Sequence, residues 1–506
     1  MFGWVRWVHG VVVTGCVALP GCAESECWYG AFNYRDGATI DDDDAFADYA
    51  DECIIVTGNL KITGGVTDLS GLEGIVGIHG SLRLVGDTLG DTDGLSGLEY
   101  VVGDVVIAHS DSLDSVQLPR LRSVAGTLKF EELPRLNDLS GMPELVDVHK
   151  RVVFSRLDAV RRLDLPGFRT IGALVIEDNA HLEEIIASDT LFEIGGDLRV
   201  RGNPVLQRVQ GFGGLDRVGG LFRIGANRLS SYRKHHTTAD LNPGPPPGTI
   251  RDVLIDRNDK LEEVVGFGAL HRMAGEFDIL LRSRASITIT HNAVLARVDA
   301  FENVDGISNA GLWLYYVVSH NPEIVEIPRI AIRAVPEDHL FVELNVEDNL
   351  VLSSLLDLGG IAVDNATIRS NPALESLEGL TIKRGLRLLS NDALTSIEGL
   401  SWVGPQDLRI EIASNSALRS LAPLFGIDKD VTSIRILNNP ELPQSEAAFL
   451  TLALNPEVPS LSKVAGNEGW VPMNPCAYVD DRECDELPGY AYAICQPGTD
   501  EADCAE

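Results

Sequence analysis

Val56-Thr57-Gly58-Asn59-Leu60-Lys61-Ile62, Ile78-His79-Gly80-Ser81-Leu82-Arg83-Leu84 and Val101-Val102-Gly103-Asp104-Val105-Val106-Ile107 are three copies of one phrase. Each runs apolar, any residue, Gly, any residue, then apolar-x-apolar. The phrase returns at Val124-Ala125-Gly126-Thr127-Leu128, Ile194-Gly195-Gly196-Asp197-Leu198 and Val218-Gly219-Gly220-Leu221-Phe222. Alternation with period two is the signature of a short strand whose first and third side chains face inward and whose middle one faces out. A Gly just before each strand is expected to serve a tight corner with unusual backbone angles.

Working outward, strand starts recur near 60, 82, 105, 128, 152, 174, 198, 222, 253, 287, 316, 344, 366, 386, 410 and 434. Repeats of this length are units that cannot bury their own core and must stack. A second signal joins downstream: an Asn five residues after the strand start, with an apolar residue three later. It occurs at Asn179, Asn203, Asn258, Asn292, Asn321, Asn349, Asn371, Asn391, Asn415 and Asn439, and less cleanly at Asn227. An inward amide both donates and accepts, so stacked Asn side chains can satisfy the backbone at a corner of every turn. The expected fold is therefore mainly β: a right-handed parallel β-helix or leucine-rich-repeat-like solenoid of about sixteen rungs over 53–465, with disulfide-stapled ends. The rungs starting at 222, 253, 287 and 316 are longer and are expected to carry loops. The largest insertion contains Arg233-Lys234-His235-His236 and the Pro/Gly run Asn242 to Gly248.

Composition agrees. The 506 residues are 44% hydrophobic but only 6% aromatic, which suits thin layers of Leu, Ile and Val. The net charge of −34 argues against nucleic acid or an anionic membrane as a partner of the whole surface.

The first 21 residues read as a secretion signal: Arg6 is their only charge, and an apolar stretch runs from Trp7 to Leu19. Leu19-Pro20-Gly21-Cys22 resembles the bacterial lipobox, with Cys22 as the lipidated residue and Pro20 as a departure from the usual pattern. Val13-Thr14-Gly15-Cys16 is a rival site that leaves a very short apolar region. The implied location is the bacterial cell envelope, on its outer surface or periplasmic face, held by an N-terminal lipid. Residues 22–52 read as a linker and cap. Residues 466–506 read as a Cys-rich cap or tail. Without Cys16 and Cys22, six cysteines remain: Cys27, Cys53, Cys476, Cys484, Cys495 and Cys504. An even number near the two ends is a disulfide pattern. The last four allow three connectivities, and a zinc site is the alternative there.

Cys53-Ile54-Ile55-Val56-Thr57-Gly58-Asn59-Leu60-Lys61-Ile62 resembles the opening of receptor L-domains, the ligand-binding modules of insulin and epidermal-growth-factor receptors. The likeness extends over roughly 27–465. It implies a right-handed β-helix related to leucine-rich repeats, with a first rung pinned by a Cys27–Cys53 disulfide. The solenoid departs from the animal receptors in lacking an interrupting Cys-rich module, a membrane-spanning helix and a kinase. So the resemblance carries fold rather than hormone binding.

The outward middle position of the sixteen strands holds seven basic residues and one acidic: Lys61, Arg83, Lys129, Arg199, Arg223, Arg387 and Arg435 against Glu411. Chance would place about one basic residue there. Two explanations stand: a groove for an anionic ligand, or long stems covering the sheet and pairing with neighbouring Asp and Glu. Outward Val153, Val175, Leu254 and Val317 are expected beneath the inserted loops or in a partner patch. Asp41 to Asp44 and Asp87…Asp91-Thr92-Asp93-Gly94 could bind calcium but lack full ligand spacing. His235-His236 has no partner cluster. No nucleophile elbow, zinc helix or phosphate loop is present in a supporting context.

The sequence therefore favours a monomeric recognition or adhesion protein for an extracellular protein or acidic glycan, without cofactor or metal and without enzyme activity. The alternatives are a polysaccharide-degrading β-helix enzyme and a structural envelope protein. Clustered carboxylates on the outer face would favour the enzyme.

Overall fold

The computed structural model describes residues 6–8, 11–14, 28–32, 38–40, 53–86, 88–227, 252–267, 284–299, 312–328, 340–355, 362–403, 408–427, 431–454 and 463–467. Arg6–Val8, Val11–Thr14 and Trp28–Phe32 pair antiparallel with one another, and the other described strands form a parallel β-solenoid. The chain divides into two compact units, Met1–Glu276 and Phe277–Glu506.

In the first unit the anticipated strands stack in register. Leu60 pairs with Leu82, Leu82 with Val105, Val105 with Leu128 and Leu128 with Val152. The ladder continues through Leu174, Leu198, Phe222 and Val253. It also reaches back, because Ala38–Ile40 pairs with Leu60–Ile62. A second ladder on the preceding segments carries Ile54–Val56, Ile75–Ile78 and Tyr100–Val101. A third joins Arg162–Asp164, Glu184–Ile186, Arg208–Gln210 and Glu263–Val265. The inward residues of all three are apolar and buried, among them Leu60, Leu128, Ile75 and Val209. The few aromatic rings meet one another across turns: Phe130 stacks on Phe154 at 5.4 Å between centroids, and Phe212 on Phe267 at 4.5 Å.

The second unit repeats the plan. Ile287 pairs with Tyr316, Tyr316 with Leu344, Leu344 with Ala366 and Ala366 with Leu386. Ile410 and Ile434 follow. One further strand, Lys463–Ala465, pairs with Arg435–Leu437.

The Asn residues form the anticipated internal ladder, and each is buried. Asn179 donates its backbone N–H to Asn203 Oδ1 at 3.0 Å, and Asn203 donates to Asn227 Oδ1 at 2.8 Å. The Asn179 amide also donates to the Phe154 carbonyl at 3.2 Å. Where the ladder begins, the partner is Leu157, whose N–H reaches Asn179 Oδ1. Asn227, the doubtful copy, is a full member through its bond to Asn258 Oδ1 at 2.7 Å.

The corner chemistry differs from expectation. Gly80, Gly103 and Gly126 are not among the positive-φ residues. They are glycines because turns approach too closely there. A Cβ on Gly103 would overlap the backbone of Gly80, and one on Gly126 the carbonyl of Gly103. The left-handed corner lies after the strand, four residues past its start. Glu132 (φ 53), Asp178 (φ 58) and Ser390 (φ 56) occupy it. The strain, on the order of 1–2 kcal/mol for a non-glycine residue, is offset by a hydrogen bond to the next turn. Glu132 N–H, for example, donates to the Ser155 carbonyl at 3.1 Å.

The expectation of about sixteen rungs with disulfide-stapled ends is corrected on both counts. The solenoid has about thirteen turns; among the described residues thirteen left-handed corners carry a non-glycine residue, while Gly64, Gly202 and Gly466 adopt the left-handed φ as glycines. The expected count was too high because strand spacing alone does not reveal which repeats complete a regular turn. Of the eight cysteines only Cys53 is described; it is buried and disulfide-bonded, its other half lying outside the described residues. No disulfide joins two described residues, so stapling of both ends by disulfides is not seen among them. A polar and helical cap does that work at the C-terminal side. Asn467 Nδ2 ends the ladder on Gln444 Oε1 at 2.9 Å, and Gln444 Nε2 donates to the Val464 carbonyl at 3.2 Å. Gln444 opens the helix Gln444–Leu454, which buries Ala447 and Leu450.

Candidate functional site

Two outward features of the first unit carry charge in an organised way: the middle column of the main sheet and the corner column beside it.

The sheet column is continuous. Lys61 is in register with Arg83, Arg83 with Val106, Val106 with Lys129 and Lys129 with Val153. Val175, Arg199, Arg223 and Leu254 complete it. Parallel strands place such neighbours about 4.8 Å apart at the backbone. The five cations differ in their surroundings. Lys129 pairs with Glu131, Arg199 with Asp197 at 2.6 Å and Arg223 with Asp256 at 3.2 Å, and all three side chains are partly covered. Lys61 and Arg83 are exposed and make no ion pair among the described residues. The outward Val153, Val175, Leu254 and Val317 are half-buried. In the second unit Arg387 pairs with Glu411 at 2.8 Å.

The corner column was not anticipated. On four successive turns the left-handed position holds His109, Glu132, Arg156 and Asp178. Two residues further on stand Asp111, Pro134, Asp158 and Ala180. Together these eight line a recess of about 420 Å³. Glu132 is held by His109 and by Arg156, the latter at 2.9 Å. Arg156 also reaches Glu131 at 2.6 Å. Burial and the neighbouring Glu177 push the Asp178 carboxyl above its usual range, opposed by Arg201 and Arg156. In the second unit the same column stacks His291 on His320 at 4.4 Å, and His320 meets Asp348 at 3.2 Å. Only their spacing shows in the sequence: these residues repeat with the strand period, one place before the ladder position, but share no residue type.

The other candidates take less part. Asp93 N–H donates to Asp91 Oδ1 at 3.0 Å, and buried Thr92 exchanges hydrogen bonds with Gln117. That acidic segment is a turn tied to the next rung. Asp87 lies outside the described residues, as do Asp41 to Asp44, His235-His236, Asn242 to Gly248, Cys22, Cys27, Cys476, Cys484, Cys495 and Cys504. Among the described residues no group of three or more His, Cys, Asp or Glu could hold a metal ion. None of the described helices is long and apolar enough to cross a membrane. In comparison with known proteins, no family model and no curated protein matches the chain.

Proposed function

We propose that the chain is an envelope recognition protein, lipid-anchored through Cys22, which binds an acidic polysaccharide or an acidic protein surface on the main sheet face of the first unit. The observation that carries this reading is the pair Lys61 and Arg83: adjacent in register, exposed, and without ion-pair partners among the described residues. Cations kept unpaired in a chain of net charge −34 are not explained by charge balance within the sheet. Lys129, Arg199 and Arg223 extend the same column, but their charges are already opposed by carboxylates. The L-domain resemblance of 53–62 supports the reading, because solenoid faces of that kind present side chains to large ligands.

The test is a panel of acidic and neutral polysaccharides applied to oxidised residues 23–506. Salt-sensitive binding to acidic glycans, weakened at least tenfold by Lys61→Glu with Arg83→Glu, is expected. Binding that ignores this double substitution would contradict the assignment.

A carbohydrate-cleaving enzyme is the competing reading. What favours it is the group Asp111, Glu132, Asp158 and Asp178 around one recess. The same panel decides: release of new reducing ends, abolished by Asp178→Asn, would establish it in place of simple recognition.

A further inference from the structure

The sheet face of the first unit holds one more free cation than Lys61 and Arg83. Arg151 stands one place before inward Val152, which sets it on the outward side beside Val153. It is exposed, and its side chain makes no ion pair or hydrogen bond among the described residues. The charges around it are already matched. Lys150 meets Asp104 at 4.0 Å, and Glu131 is held by Lys129 and by Arg156, the latter at 2.6 Å. Three unopposed cations remain on this stretch: Lys61 and Arg83 on adjacent turns, and Arg151 three turns beyond Arg83.

Their spacing selects the occupant. Turns lie about 4.8 Å apart, so Lys61 and Arg83 match negative groups at about that interval. From Lys61 to Arg151 is about 19 Å along the stack of turns. An extended acidic peptide presents same-face carboxylates every second residue, about 6.6 Å apart, and falls out of step with the turns. A pyranose unit advances a glycan by close to the height of one turn. A glycan with a carboxylate on every sugar therefore keeps step with Lys61 and Arg83. One in which acidic and neutral sugars alternate leaves one of the two cations unopposed. Between the cations the face offers Val106, Val153 and Val175, half-buried and apolar, against which the C–H faces of sugar rings can leave water. We propose that this face binds a homopolymeric uronate chain lying along the solenoid axis, with successive carboxylates at Lys61 and Arg83 and a later one at Arg151. The proposal rests on the sheet-face reading and narrows it to one ligand class and one direction.

The experiment is titration of the full oxidised chain, at low ionic strength, with a mannuronate trimer and hexamer. Ligand-observed NMR reads weak as well as tight binding. A hyaluronan fragment with as many carboxylates as the hexamer, a neutral cello-oligosaccharide and polyglutamate are the comparison ligands. The hexamer should bind at least tenfold more tightly than the hyaluronan fragment, and Lys61→Gln with Arg83→Gln should remove that preference. Arg151→Gln should weaken the hexamer at least threefold and leave the trimer unchanged, because a trimer on Lys61 and Arg83 does not reach Arg151. Lys260→Gln, an exposed cation of the first unit outside this face, should change nothing. Unchanged circular dichroism verifies the folding of each variant. The proposal is overturned if the hyaluronan fragment or polyglutamate binds as tightly as the hexamer, if Arg151→Gln leaves the hexamer unaffected, or if Lys260→Gln weakens binding as much as the sheet variants do. Equal binding of every polyanion, lost in the Lys61 and Arg83 double variant, would overturn this proposal and keep the sheet-face reading. Binding of none would overturn both.

Discussion

Asn391 donates its backbone N–H to Oδ1 of Asn415 at 3.0 Å, while its own Oδ1 accepts the same bond from Asn371 at 3.2 Å. Its amide also donates to the Ile368 carbonyl at 3.0 Å. One side chain thus serves backbone groups of neighbouring turns, with no water needed in a fully buried corner. Asn391→Ala orphans the Asn371 N–H and removes the donor to Ile368. At about 1–3 kcal/mol for each buried group left unsatisfied, the substitution should destabilise the second unit by roughly 2–5 kcal/mol. Urea unfolding followed by circular dichroism would measure it, and a loss below about 1 kcal/mol would mean that the ladder is replaceable.

The glycine column gives a second expectation. Gly126→Ala forces a Cβ into the Gly103 carbonyl and the Asp104 side chain. The backbone must shift, at a cost of about 1–3 kcal/mol typical of overpacking. Gly90 has open space around the same position and no left-handed φ. Gly90→Ala should therefore be neutral within about 0.5 kcal/mol. Equal effects at the two sites would remove close approach as the reason for the column.

Two carboxylates should move stability in opposite directions with pH. Asp178 is raised by burial and by Glu177, with Arg201 and Arg156 opposing. The folded chain then holds its proton more tightly than the unfolded chain. Stability from this group is full below the ordinary carboxylate range and is lost as pH rises through the raised value. Asp138 is lowered by the Ser140 hydroxyl and by its backbone N–H, at 2.8 Å. Its contribution is present above the ordinary range and lost as pH falls. Asp178→Asn should flatten the alkaline-going decline, and Asp138→Asn the acid-going one. Thermal unfolding of both variants between acid and neutral pH would show it, and unchanged slopes would refute the assignments.

Sequence and structure agree where side chains point inward. Leu60, Leu82 and Leu128 announced their register by alternation, and Asn179 through Asn439 announced the ladder, because burial imposes one residue type on every turn. Asn467 was missed because only one short strand, Lys463–Ala465, precedes it. The glycines were found for the wrong reason. A sequence shows that a Cβ is absent but not whether φ or a neighbouring carbonyl forbids it. The left-handed corner was invisible because Glu132, Arg156 and Ser390 share no chemistry: their backbone bonds, not their side chains, hold them there. The recess followed into obscurity, since its residues are outward and free to vary. Division into two units and closure by Gln444 depend on contacts that no local pattern encodes.

The reading of the sheet face makes one measurement decisive: the salt dependence of binding to an acidic polysaccharide. On a polyanion charged as densely as nucleic acid, each cation that displaces a counterion contributes about 0.7–0.9 to the slope of log affinity against log salt. Lys61→Gln with Arg83→Gln should lower that slope by about 1.5 and weaken binding, while Arg387→Gln in the second unit should leave both unchanged. A slope that survives the loss of Lys61 and Arg83 would contradict the account.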